Sequence, residues 1–126
     1  MRSFIIALLI ALTLILAGAS YNHNLIEESN HLSHLNDNII VSLENENYNR
    51  AQMQIDELSK QVEKFKIFYF MTDNHTEIDT IKLTIAELEI YTRKKEQTDA
   101  LAKANSLAFL LRHLPENTEI KWGNIL

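Results

Sequence analysis

The sequence predicts an all-α protein. A transmembrane or signal-anchor helix leads into an antiparallel up-down bundle of about four helices, with a short C-terminal tail. Three observations predict this. An unbroken apolar run opens the chain, and apolar residues then recur at steps of three and four. Only two Gly and one Pro serve the turns of 126 residues, too few for a loop-rich or β-turn-rich fold.

The apolar run, Phe4 to Ala19, follows a single cation, Arg2. As a helix it rises about 24 Å against a hydrocarbon core of ~30 Å. The deficit closes when the flanks join, since no formal charge lies between Ser3 and Ile26. Tyr21 then falls at the far interface, where an amphipathic ring is comfortable. Phe4, Ile5, Leu9, Leu12 and Leu16 are the anchor residues of this reading. The rival is a cleaved signal peptide, with Phe4 to Leu16 as its apolar stretch and Ala17-Gly18-Ala19 as the small-residue site before Ser20. Leu14, Ile15 and Leu16 keep the chain helical almost to that site, which favours retention.

In both cases the N-terminus stays inside and the remainder is exported. The expected location is the cell membrane, single-pass, with the C-terminal domain outside; cleavage after Ala19 would secrete it. Absence of Cys excludes a lipoprotein and any disulfide. The expected division is an anchor over 1–22 and an extracytoplasmic helical domain over 23–126.

Without Arg2 the exported part carries eleven Lys/Arg against seventeen Asp/Glu, a net charge of −6. That argues against nucleic acid, whose binding domains need a basic face, and against adhesion of this domain to anionic lipid.

The first bundle helix has the stripe Leu25, Leu32, Leu35, Ile39 and Leu43. Eight Asn between Asn22 and Asn49 weaken its helix propensity, and genome composition is the ordinary account of them. Glu44 to Asn47 form a polar break with a capping Asn. The cleanest pattern follows: Tyr48, Ala51, Ile55, Leu58, Val62, Phe65 and Tyr69, one buried helix face. Beyond Phe65 the chain turns apolar on all sides as far as Met71.

Thr72 to Thr76 interrupt it. A third helix reads Ile78, Ile81, Ile85 and Leu88, with Leu83 and Ile90 on a second edge. Glu77 and Asp79 at its start and Arg93 to Lys95 at its end suit the helix dipole. Thr98 and Asp99 open a fourth helix with Ala100, Ala104, Leu107, Leu111 and Leu114, which Pro115 is expected to end. The tail to Leu126 holds Ile120, Trp122, Ile125 and Leu126 and should fold back on the bundle.

The second and fourth helices align at an offset of 49 residues, Ala51 on Ala100 through Phe65 on Leu114. Since 49 is seven heptads, two heptad stripes superimpose without shared ancestry, and that explanation is preferred.

Phosphate-cradling Gly-rich loops, nucleophile elbows, HExxH and Cys-based metal sites are all missing. One constellation remains. His75 and Asp79 stand four apart at the start of the third helix, and His113 lies near the end of the fourth. Antiparallel packing makes those ends neighbours, so the three could form a two-His, one-carboxylate transition-metal set. The plainer account is a local His75–Asp79 pair and a His113 that complements a helix dipole. His23, His31 and His34 read as solvated surface. Phe68, Phe70 and Trp122 are candidates for a partner surface, with burial in the core as the commoner role of such residues.

The chain resembles an uncharacterised domain-of-unknown-function family of short, N-terminally membrane-anchored, all-helical proteins of Firmicutes. The resemblance spans nearly the whole length. It rests on the anchor, Tyr48-Asn49-Arg50-Ala51, His75-Thr76-Glu77-Ile78-Asp79, Leu110-Leu111-Arg112-His113-Leu114-Pro115-Glu116 and Asn124-Ile125-Leu126. Position 48 resembles Trp in many relatives, so Tyr48 departs mildly. The resemblance implies a membrane-anchored bacterial helical domain with no assigned activity. It also places His75, Asp79 and His113 in stretches that look like the family pattern.

The expected role is a non-enzymatic interaction or structural module at the cell envelope, without a cofactor, contacting the membrane and an envelope or membrane protein partner, and no nucleic acid. The alternative is a small metal-binding or hydrolytic domain built on His75, Asp79 and His113. Self-association through the Leu25 to Leu43 stripe is a third option.

Overall fold

The computed structural model describes residues 1–69 and 75–118; the side chains of 21, 22, 24, 25, 66–69, 75 and 115–118 lie outside the description. Among these described residues four helices follow one another: α1 (Arg2–Glu44), α2 (Tyr48–Tyr69), α3 (His75–Arg93) and α4 (Gln97–Thr118). The segment apolar enough to span a membrane, Arg2–Ser20, is the first part of α1, and none of it is buried against the protein. The apolar segment and the first bundle helix are thus one element, and the expected boundary after residue 22 falls inside it. No helix breaker lies there: the nearest Gly is Gly18, four residues earlier, and nothing crowds it.

α1 packs on α2 and α4, and α3 packs on α2 and α4, closing a four-membered ring. At its centre lie the residues that the periodicity picks out. Leu32, Ile39 and Leu43 come from α1, and Ala51, Ile55, Leu58, Val62 and Phe65 from α2. Ile78, Ile81, Ile85 and Leu88 come from α3, and Ala100, Ala104, Leu107, Leu111 and Leu114 from α4. The Leu25–Leu43 stripe, over its described residues, faces the protein's own helices, which removes the ground for self-association through it.

The 49-residue correspondence goes further than heptad spacing requires. Ser29, Leu32, Asn36, Ile39 and Leu43 are buried in α1, and so are their equivalents Ile78, Ile81, Ile85, Leu88 and Thr92 in α3. The two turns match bond for bond. Glu46 N–H donates to the Leu43 carbonyl and Asn47 N–H to that of Ser42; Lys95 N–H donates to Thr92 and Glu96 N–H to Tyr91. This is a Schellman ending, in which the residue past the helix turns left-handed. Glu46 at φ 55° and Lys95 at φ 57° occupy that position without being Gly. Asn47 then caps α2, its Oδ1 accepting from Arg50 N–H at 3.3 Å.

Two expectations about α4 are corrected. It starts at Gln97, a residue before Thr98, and it runs through Pro115 to Thr118. Pro115 has no N–H for the Leu111 carbonyl four residues back. Ser29, 2% exposed, replaces it: its Oγ donates to that carbonyl at 3.0 Å. With the orphaned acceptor satisfied from α1, the proline need not end the helix.

Candidate functional site

The α1–α4 interface carries the most developed polar feature of the described core. Besides the Ser29 bond, Asn36 Nδ2 donates to the Ala104 carbonyl at 2.9 Å, and Gln97 Nε2 donates to the Leu43 carbonyl at 3.0 Å. On α1 the positions are 29, 36 and 43; on α4 they are 111, 104 and 97. Each heptad forward on α1 is one heptad back on α4, so the bonds form an antiparallel ladder with a single register. Gln97 also reaches the Glu44 carbonyl at 3.4 Å, a further acceptor at the end of α1. Asn36 is fully buried, and its Oδ1 has no partner among the described residues. Ser29 and Asn36 lie just outside the leucine stripe, and only their heptad spacing from Leu43 hints at them in the sequence.

Ion pairs join the other helices. Lys82 Nζ meets Glu63 Oε1 at 2.5 Å between α3 and α2, and Lys103 Nζ meets Glu87 Oε2 at 2.6 Å between α4 and α3. The hydrogen bond with Glu87 holds the Lys103 ammonium above its ordinary pKa, partly offset by burial.

Of the proposed metal set, Asp79 and His113 are described, while the His75 side chain is not. Asp79 is exposed. Its helix ridge continues one turn on to Lys82, which faces α2, whereas Glu87 meets α4. His113 is half-buried; its Nδ1 donates to the Phe109 carbonyl at 2.9 Å, and its ring stacks on Phe109 at 4.1 Å between centroids. Among the described residues, no group of three His, Cys, Asp or Glu could hold a metal ion.

Phe70 and Trp122 and the Phe68 side chain lie outside the described residues. Phe65, at the start of that apolar run, is buried in the core. His31 and His34 are exposed, and His23 pairs with Glu27 at 3.1 Å on the surface. The anchor residues Phe4, Ile5, Leu9, Leu12 and Leu16 are each more than half exposed, as a segment without protein neighbours must be. Outside the anchor, Met53, Leu83 and Phe109 are exposed apolar side chains; Leu83 is the only one of the three that the sequence pattern marks.

Two hollows open on the described surface. One, about 150 Å³, lies between α1 and α2 beside their turn. The other, about 100 Å³, lies between α2 and α3 and is lined by Ser59, Val62, Lys82, Ile85, Ala86 and Glu89.

An exposed apolar segment continuous with a four-helix bundle defines a class: an all-helical domain with a helix fit to cross a membrane. Within that class the chain belongs to the DUF4363 family of domains of unknown function, whose model matches residues 19–125. No curated protein and no solved structure matches it.

Proposed function

We propose that the protein is a single-pass membrane protein whose bundle stands outside the cell membrane as a non-enzymatic interaction module at the cell envelope. One observation carries this reading: the spanning segment and the bundle's polar-laddered helix are the same α1. A bundle fused in this way to its span has a set height and orientation, which suits presentation of a surface to a neighbouring envelope or membrane protein. Arg2 sets the direction by the positive-inside bias. Retention of the span, rather than cleavage after Ala19, belongs to the same proposal.

The absence of Cys makes topology simple to test. Ser3→Cys and Glu46→Cys chains are expressed in cells and treated with an impermeant maleimide. Labelling of Glu46→Cys but not Ser3→Cys in intact cells, with the chain at full mass in the membrane fraction, is the expected result. A soluble product beginning at Ser20 overturns retention. Photo-crosslinking from Leu83, Phe109 or Phe68 then tests the module role; repeated failure to capture a discrete membrane or envelope protein counts against it.

A further inference from the structure

We propose that the hollow between α1 and α2 is a binding site for a small carboxylate. The second hairpin supplies the internal control. Where the first has Asn38, Ser42 and Gln54, the second has Glu87, Tyr91 and Lys103 on a matching backbone. There the Tyr91 side chain packs against the core, and Lys103 meets Glu87 at 2.6 Å. A ring and an ion pair occupy that place. In the first hairpin the small Ser42 leaves about 150 Å³ open. The space admits several waters or a group of acetate size.

The lining supplies donors. Ser42, 5% exposed, donates from Oγ to Gln54 Oε1 at 2.6 Å, which fixes that amide and leaves its Nε2 to donate. Asn47 Oδ1 is taken by Arg50 N–H, which leaves its Nδ2. Asn38 and Asn45 line the hollow too, and so does Arg50, whose guanidinium has no carboxylate partner among the described residues. No acid lines it.

Four amides and one guanidinium select an acceptor-rich anion, and the planar fork of Arg matches a carboxylate. Glu44 and Glu46 flank the site on the same turn and are exposed, so they oppose a doubly charged ligand and favour a monoanion. Asn38 lies about 27 Å along α1 beyond Ser20, out of reach of a lipid headgroup at the end of the span. The carboxylate therefore comes from a free small acid or from the carboxyl end of a peptide. The site does not depend on the membrane reading.

The test uses the full chain in non-ionic detergent micelles, ¹⁵N-labelled at Asn, Gln and Arg. Sodium acetate is titrated against a sodium chloride control at equal ionic strength. Saturable shifts of the Gln54 and Asn38 side-chain amides and of Arg50 Nε, with a millimolar Kd, are expected. Arg50→Gln should weaken binding at least about tenfold, the loss of one charge-assisted pair. Ser42→Tyr, which installs the residue of the second hairpin, should abolish binding. N-acetyl-dialanine binding tighter than acetate identifies a chain end as the source; equal affinity identifies a free acid. Shifts shared by acetate and chloride, or N-acetyl-dialanine amide binding as well as the acid, overturn the proposal. Should Ser42→Tyr fail to fold, the exposed Arg50→Gln change decides: unchanged acetate affinity refutes the site.

Discussion

Ser29 and Pro115 depend on each other across the α1–α4 interface. Ser29→Ala leaves the Leu111 carbonyl buried without a donor, at a cost of about 1–3 kcal/mol. Pro115→Ala restores a helical N–H to that carbonyl, so in its presence Ser29→Ala should cost far less. Urea denaturation of the two single variants and the double variant measures the coupling, and additive losses would refute it. Asn36 poses the opposite case, since its unpartnered Oδ1 is a penalty within the core. Replacing it with the residue of its counterpart, Asn36→Ile, should raise stability by about 1–2 kcal/mol while removing the middle bond of the ladder. A lower denaturation midpoint would contradict this. For Lys103 the pH sign is settled by the direction of its shift. Its folded pKa is raised, so its contribution persists across neutral pH and is lost only as pH climbs through the lysine range. A Lys103→Met chain should therefore show the same small loss in Tm throughout neutral pH.

At the scale of elements, the two turns do similar work with unfavourable residues. A left-handed conformation costs a side-chain-bearing residue roughly 1–2 kcal/mol, which Gly avoids at the price of chain entropy. Glu46→Gly and Lys95→Gly should each stabilise the fold by up to about 1 kcal/mol, read as a rise in Tm; a fall at both positions would mean that the charged side chains hold the turns. The helices themselves were legible in the sequence because their buried stripes alternate at three and four. The exit at Pro115 was not. Local chemistry predicts a stop there, and only a donor 86 residues earlier in the chain, Ser29, removes the reason for one.

At the scale of the molecule, stability rests on the apolar centre rather than on surface charge. Leu107 is fully buried, and Leu107→Ala should cost about 2–5 kcal/mol. The exposed i,i+4 pair Arg93–Glu89 should contribute only about 0.3–0.5 kcal/mol and fade with salt. A large fall in Tm in molar salt would show that the charges matter more than this. The polar ladder ties α1 to α4 at three heptad-spaced points along the apolar core. It is through α1 that the bundle is fixed to the segment able to enter a membrane.

The chain's own pattern determined the all-helical class, the apolar segment and nearly every core residue, because burial follows a short-range period that needs no partner to be read. It also raised His75, Asp79 and His113 by proximity of helix ends, a criterion too coarse to say where side chains face. Tertiary structure decided the ladder to α4, the passage of α4 through Pro115 and the hollow beside Ser42. Each of these joins residues distant in sequence or compares two hairpins in space. The reason is physical: a hydrogen bond or a cavity is a property of facing surfaces, and a single helix does not reveal what it will face.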